Sequence, residues 1–321
     1  MIRFLKLYGT LVGFVLICVF FAIQLPETFL TPRNLINISQ QISMLAVVAF
    51  AMTLVMVMND FDLSVGSMAS LAGVVAAVIF AAGYPVSLGI AAALAVGILG
   101  GLFNGFLVSI IGILPFVATL GTLTMFSGFA FLISGGKTIF GRDIPKDFSG
   151  FARGGISLEE LGMAGLKLPY LTLMMIGALV LVWFVLEQTS FGRRLYAIGG
   201  NYEAARLAGI RVKRIRLAAF GLTGFGAAVA GLMYASRVAS ANPTQGSGLM
   251  LDAIAAVFLG MTMSEEGEPR VLYTLIGVLI LGVLDNGLTQ LSVDSYIREI
   301  LVGAIVISAV AFSSITKQRR G

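Results

Sequence analysis

The sequence predicts an all-α polytopic membrane protein of about ten transmembrane helices, and three observations carry that expectation. Of its 321 residues, 58% are hydrophobic and only 12% charged, against roughly 25% charged in a soluble domain. The apolar residues fall into ten runs, most near the roughly 20 residues an α-helix needs to cross the hydrocarbon core. The basic residues gather at Arg3 and Lys6, between 187 and 216, and in the tail Lys317-Gln318-Arg319-Arg320, positions that an even number of crossings returns to one side. By the positive-inside rule that side is the cytoplasm, with both termini there.

The runs are Leu7 to Gln24, Ile42 to Met58, Leu63 to Ala82, Val86 to Ile111, Phe116 to Ser134, Tyr170 to Leu186, Leu217 to Ser236, a short one at Leu251 to Met263, Val271 to Leu288, and Ile297 to Ile315. No small-x-small cleavage site follows Phe21, so the first run is expected to remain as an uncleaved span. Pro115 and Pro169 stand where helices begin, where a missing N–H costs nothing. Gly97, Gly101 and Gly105 recur every four residues and put a flat stripe on one helical face, a device for close helix approach. Gly221, Gly224, Gly226 and Gly231 suggest the same for the seventh run.

Residues 1 to 321 read as a single transmembrane domain. Spans two to five (42 to 136) and seven to ten (217 to 315) form two blocks of four that run in opposite directions, the plan of an inverted repeat. Asp62 and Asp252 each stand at the expected start of a block's second span. The polar loop 137 to 169 falls on the outer side with balanced charge and is long enough for a docking surface or a solvated connection.

Composition excludes several functions. There is no histidine, and Cys18 is the only cysteine, so disulfides within the chain, zinc clusters and histidine-based catalysis lack their groups. The net charge of +5 is distributed topogenically, which argues against nucleic-acid binding. Gly136-Lys137-Thr138 resembles the end of a phosphate loop, but position 131, where that motif needs glycine, is Phe131. No ATP site and no enzyme activity are expected in this chain.

The segment 187 to 216 holds seven Arg or Lys against Glu187 and Glu203. Asn201 is a suitable N-cap, Tyr202 to Leu207 are good helix formers and Gly209 a suitable stop, which predicts a short helix on the membrane surface. Such a helix either docks a partner or only fixes topology against anionic membrane lipid.

The most unusual polar cluster is Asn59-Asp60-Phe61-Asp62-Leu63-Ser64. Asp62 has a structural reason to precede a helix, as a cap on free N–H groups. Asp60 and Asn59 have no such ready explanation, and carboxylates at the membrane edge are functional candidates. Asp285 and Asn286 form a second cluster. A path for a hydroxylated solute needs donors and acceptors, and Asn59, Asp60, Asp62, Ser64, Phe116, Thr119, Asp252 and Asn286 are the candidates by polarity and position. Thr122, Ser127, Asn104 and Ser109 are also placed to contribute, although a membrane Ser or Thr more often bonds a carbonyl of its own helix.

Several strings, in order, resemble the permease subunits of bacterial ABC importers for ribose, arabinose, xylose and related sugars. They are Asp62-Leu63-Ser64-Val65-Gly66-Ser67, Leu114-Pro115-Phe116-Val117-Ala118-Thr119-Leu120-Gly121-Thr122, Tyr196-Ala197-Ile198-Gly199-Gly200-Asn201, Glu203-Ala204-Ala205-Arg206-Leu207-Ala208-Gly209-Ile210, Leu251-Asp252-Ala253-Ile254 and Asp285-Asn286-Gly287-Leu288. The resemblance implies a ten-helix fold shared with vitamin B12-type importers and a site in the bacterial inner membrane. It implies a second permease copy, cytoplasmic ABC ATPase domains that use ATP and Mg, and a periplasmic sugar-binding protein. It assigns coupling contacts with the ATPase to Gly199, Gly200, Asn201, Glu203, Ala204, Ala205, Arg206 and Gly209. Small side chains at Ala204, Ala205 and Ala208 would permit close seating, while Glu203 and Arg206 would set register.

One stretch departs from that family. Ser264-Glu265-Glu266-Gly267-Glu268-Pro269-Arg270 stands where flexible glycines are usual. The alternatives within the superfamily are permeases for polyols, autoinducer-like furanosyl compounds, nucleosides or amino acids. Outside it, an ion-coupled secondary transporter would use Asp60 or Asp62 as its ion site, and an assembly protein would need no solute path.

Overall fold

Polar residues flank the apolar runs without ending the helices, so several helices extend beyond what hydropathy suggests. The structure, a computed structural model, describes residues 2–162 and 165–318. Arg319 and Arg320 of the basic tail lie outside the described residues, as do Met163 and Ala164 of the polar loop. The described helices are α1 (Ile2–Gln24), α2 (Pro32–Met56), α3 (Val65–Ala81), α4 (Val86–Phe106), α5 (Pro115–Ser134), α6 (Lys146–Arg153), α7 (Tyr170–Trp183), α8 (Ser190–Gly200), α9 (Tyr202–Leu207), α10 (Val212–Val238), α11 (Ser247–Met261), α12 (Val271–Gln290) and α13 (Ser295–Gln318). A π-helical turn extends α4 over Leu107–Ile111 and α7 over Phe184–Gln188. Among the described residues six helices are long and apolar enough to cross a membrane: α2, α4 and α7 with their π-turns, α5, α10 and α12. Shorter apolar helices cover Gly9–Gln24, Val65–Ala81 and Ser247–Met261. The chain is an all-α polytopic membrane protein.

The start of α2 corrects the expected boundary at Ile42. Thr31 is extended and its side chain accepts a hydrogen bond from Asn34 N, with Pro32 at the first helical position. The polar stretch that follows finds partners within the protein: the Ser39 and Thr172 hydroxyls lie 2.9 Å apart, and Gln40 Nε2 donates to Ala152 O. A second correction concerns Asp252. Asn242 and Gln245 close a turn, Gly246 N donates to Ser70 Oγ at 2.8 Å, and α11 begins at Ser247. Asp252 therefore sits in the second turn of α11, not at its start, and does not mirror Asp62.

The centre of the bundle is built by α2 and α10, both largely buried. α10 packs on α2, α3 and α4, while α2 packs on α7, α11 and α12. The glycine stripe has the predicted use. A Cβ on Gly101 would stand 2.2 Å from Phe220 O, one on Gly97 would stand 2.6 Å from Gly224 O, and one on Gly224 would stand 2.2 Å from Gly97 O. The backbones of α4 and α10 touch along this seam, where only glycine leaves room.

The connections sort onto two faces. One face carries the 57–64 loop, the segment from 184 to 211 and the 262–270 turn, linked by bonds from Asn59 to Gly199 and from Tyr196 to Pro269. We call it the basic face. On the opposite face the 137–169 loop is folded: β1 (Ile139–Phe140) pairs antiparallel with β4 (Ser240–Ala241), and β2 (Gly155–Ser157) with β3 (Lys167–Pro169). Between these ladders α6 buries Phe148 and Ala152, with the Phe148 ring 4.9 Å from that of Phe80.

Candidate functional site

The basic segment is built from two capped helices. Thr189 opens α8, its hydroxyl accepting from Gly192 N at 3.2 Å. Leu195 and Ile198 then turn inward while Arg193 and Arg194 stay exposed. Asn201 ends α8 in an extended conformation and begins α9, where its side chain accepts from Ala204 N at 3.0 Å. Gly209 adopts φ +84°, and Ile210 N closes back onto Ala205 O at 3.1 Å. This left-handed stop needs glycine. The predicted helix, cap and stop are all present.

The predicted coupling residues divide between two sides. Gly200, Asn201, Glu203, Ala204, Arg206 and Gly209 are exposed, and Glu203 pairs with Arg206 at 2.8 Å with both side chains more than 60% exposed. Ala205 is buried, and a Cβ on Gly199 would meet Val57 O at 1.9 Å. These two positions hold the segment against the bundle, so the expectation that Ala205 offers a seat to a partner is corrected. Sequence reasoning missed Leu207, which is 82% exposed at the end of α9. Its signal was an apolar residue between Arg206 and Ala208 on a helix whose inward position was already taken by Ala205.

Under α8 and α9 lies the polar loop after α2. The helix closes with Asn59 at φ +60° and with Asp60 N reaching Val55 O, a left-handed stop that asparagine tolerates. Asn59 Nδ2 donates to Gly199 O at 2.8 Å. Asp60 is gripped side-on by Arg216 of α10: Nε donates to Oδ2 at 2.8 Å and Nη2 to Oδ1 at 2.7 Å. The Asp60 and Arg216 side chains are only 7% and 15% exposed. Burial raises the Asp60 carboxyl pKa, and Arg216 works against that rise. The guanidinium also stands 6.0 Å from the Tyr202 ring centroid. Asp60 thus has the structural partner that the sequence did not supply.

Asp62 is fully enclosed. Its Oδ1 accepts from Ser64 N at 2.9 Å and from the Ser64 hydroxyl at 2.6 Å, a turn that leads into α3. Ser64 holds the N-cap position, so Asp62 orders the N-cap residue and does not cap the free N–H groups of the first helical turn, the role expected of it. Asn104 of α4 donates to Ser64 Oγ at 2.8 Å and, more weakly, to the Asp62 carboxylate at 3.3 Å. Burial pushes the Asp62 carboxyl pKa up. Asn104 Oδ1 and Ser109 Oγ are buried with no hydrogen-bond partner among the described residues. The Thr119 hydroxyl lies 2.8 Å from Pro115 O and 3.3 Å from Phe61 O, and Thr122 bonds Thr119 O, the local fate expected of membrane hydroxyls.

The remaining pathway candidates lie apart. Asn286 is buried near the opposite face in an amide network: its Oδ1 accepts from Asn34 and Gln290 at 3.0 and 2.8 Å, and its amide donates to Gln41. This network joins α2 to α12. Phe116 on α5 and Asp252 on α11 are exposed. Of the eight candidates, Asn59, Asp60, Asp62, Ser64 and Thr119 form one connected group around the loop, while Phe116, Asp252 and Asn286 do not join it.

The Glu-rich turn packs onto the same face. Tyr196 of α8 donates to Glu187 Oε1 at 3.1 Å or to Pro269 O at 3.2 Å, and burial with the Glu187 charge raises its pKa. The turn is thereby held against the basic segment.

Several known proteins are similar in sequence to this chain. The ribose import permease protein RbsC of Bacillus subtilis (strain 168) is 37% identical over 302 residues, 94% of this chain and 91% of that protein. The protein of the same name from Escherichia coli (strain K12) is 38% identical over 287 residues, 89% of this chain and 87% of that protein. The xylose transport system permease protein XylH of the same strain is 31% identical over 370 residues, 98% of this chain and 93% of that protein. No solved structure matches the chain. Residues 34–310, from the amide network of α2 well into α13, match the family described as branched-chain amino acid transport system / permease component. The chain belongs to that family and is a permease component of a transport system, not an enzyme.

Proposed function

We propose that the chain is the membrane subunit of an ATP-driven importer that passes a pentose or closely related monosaccharide from a periplasmic binding protein to the cytoplasm. The observation that carries this reading is the identity to ribose and xylose permeases over about nine-tenths of the chain. On this reading it works in the bacterial inner membrane with both termini and the basic face in the cytoplasm, and with a second permease copy beside it. A cytoplasmic ABC ATPase, which uses ATP and Mg, seats against the exposed side of α9. The paired charges of Glu203 and Arg206 and the projecting Leu207 suit that contact. The folded 137–169 loop would meet the binding protein.

Ten crossings and a duplicated, inverted plan of the vitamin B12-importer type belong to the same proposal. The packing supports it: the first helix of each block, α2 or α10, rests on the second and third helices of the other, α11 and α12 or α3 and α4. When the ATPase closes, α9 would move as a rigid body, with displacement passing by shear along the α4–α10 glycine seam. The sugar would cross beside Phe116 and Asp252, the two candidates that remain exposed on membrane helices.

The test is co-purification and uptake. The chain, expressed with its neighbouring ATPase and binding protein, is expected to retain the ATPase on an affinity tag and to import labelled ribose or xylose into proteoliposomes only with ATP. Exchanging the charges (Glu203→Arg with Arg206→Glu) keeps the pair within the helix while reversing what a partner meets, and is expected to release the ATPase. Uptake driven by an ion gradient without any ATPase would overturn the proposal.

A further inference from the structure

Five residues of one short loop reach five different parts of the bundle. Asn59 bonds the end of α8 through Gly199 O. Asp60 bonds Arg216 at the start of α10. Phe61 offers its carbonyl to Thr119 of α5 and packs its ring 6.1 Å from that of Phe258 in α11. Asp62 and Ser64 hold Asn104 of α4. The loop itself joins α2 to α3. We infer that the 57–64 loop is the joint through which movement of the coupling segment reaches the packed helices, and that the Asp60–Arg216 pair is its clamp.

The physical argument is about stiffness. α9 is a six-residue helix with one buried side chain, Ala205, so its own packing gives it little purchase on the bundle. Beside the buried Leu195 and Ile198 of α8 and the Tyr196–Pro269 bond, the Asn59–Gly199 hydrogen bond and the Val57 carbonyl lodged against Gly199 tie the segment to this loop, and the two-point grip of Arg216 ties the loop to α10. A two-bond Arg–carboxylate fork fixes direction as well as distance. In a nearly closed pocket it is not easily exchanged for water, because separating the charges leaves each one buried and uncompensated. Pulling on α8 and the start of α10 would therefore carry the loop with them. From the loop the pull divides: forward into α3, sideways through Phe61 to α5 and α11, and through Asp62 and Ser64 to α4. The polar sequence Asn-Asp-Phe-Asp-Leu-Ser serves, on this inference, as a transmission element and not as a solute site.

The inference rests on the proposed role in ATP-driven import, and the experiment separates the two. The complete importer, with permease, ATPase and binding protein, is reconstituted in proteoliposomes, and ATP hydrolysis and labelled ribose or xylose uptake are measured on the same preparation. Asp60→Asn and Arg216→Gln are each expected to keep hydrolysing ATP while uptake falls about tenfold, within the usual range for coupling between sites. The double variant is expected to be no worse than either single one, because both remove the same link. Asn59→Gly removes only the side-chain bond from an exposed residue already in a left-handed conformation. It is expected to fold normally and to raise the ATP consumed per sugar by a smaller factor, about twofold to threefold. Wild-type vesicles that import no pentose with ATP would overturn the parent proposal. A working wild type, with Asn59→Gly and the clamp variants consuming the same ATP per sugar, would overturn the joint.

Discussion

Two adjacent glycines, Gly199 and Gly200, are expected to respond in opposite ways to the same substitution. A methyl group on Gly199 would stand 1.9 Å from Val57 O, 3.0 Å from Val57 C and 3.3 Å from Met58 Cα. All three obstacles are backbone, so no side chain can swing aside, and α8 would have to lift by more than about 1 Å. Overpacking of this kind costs about 3 kcal/mol at the upper end of its range. The lift also weakens the Asn59–Gly199 hydrogen bond, worth about 1 kcal/mol. Exchanging glycine for alanine in a helix returns up to about 1 kcal/mol. The net expectation for Gly199→Ala is about 3 kcal/mol of destabilisation. Gly200 has nothing within 4 Å of the same position, so Gly200→Ala is expected to be neutral or to stabilise by about 0.5 kcal/mol. Equilibrium unfolding in mixed micelles, titrated with a denaturing detergent, measures both. If the two variants fall within about 0.5 kcal/mol of one another, α8 does not rest on the 57–64 loop and the seating described above is wrong.

Three further outcomes are expected. Gly101→Ala brings a methyl to 2.2 Å from Phe220 O and should cost about 3 kcal/mol by the same micelle titration, whereas Gly121→Ala on α5 has no atom within 4 Å and should not destabilise. Asp62 has a pKa raised by burial, so its ionisation works against the fold: stability relative to Asp62→Asn should be greatest below the ordinary aspartate pKa and decline as pH rises through the raised one. Asp62→Asn should therefore equal or exceed the wild type near neutral pH, while Asp62→Ala, which leaves Ser64 N unpaired, should lose about 1–3 kcal/mol; unfolding at pH 5 and pH 8 distinguishes them. Asn286→Ala removes two amide hydrogen bonds between α12 and α2, to Asn34 and Gln41, and one within α12, from Gln290, and should cost about 2–3 kcal/mol without changing the ratio of ribose to xylose uptake.

Much of this architecture was legible in the residues because it is local or periodic. Hydropathy located the six helices that are long and apolar enough to cross a membrane, since burying an unpaired backbone in hydrocarbon leaves few choices besides a helix. The four-residue spacing of Gly97, Gly101 and Gly105 predicted a helix seam that the α4–α10 contact realises. Asn201 and Gly209 marked the bounds of α9, because capping depends on a few neighbouring atoms. The start of α2 was not legible: its polar first turns look solvent-bound until Thr172, Ala152 and Asn286 supply partners from distant parts of the chain.

The sequence by itself determined an all-α membrane protein, the concentration of basic charge on one set of connections, the short surface helix and the resemblance to sugar permeases. Only the tertiary structure decided what the polar cluster after α2 touches. Asp60 and Arg216 are 156 residues apart, and Asn59 and Gly199 are 140 apart. Hydropathy and capping depend on neighbours within a turn or two, so they carry no information about which buried carboxylate will meet which guanidinium. That pairing is set by how α2, α8 and α10 pack, with Gly226 of α10 against Ala51 of α2 and Gly199 of α8 against the Val57 carbonyl. Of the residues that sequence polarity placed along a solute path, Asn59, Asp60, Asp62, Ser64 and Thr119 were gathered by that packing into one hydrogen-bonded group beneath α8.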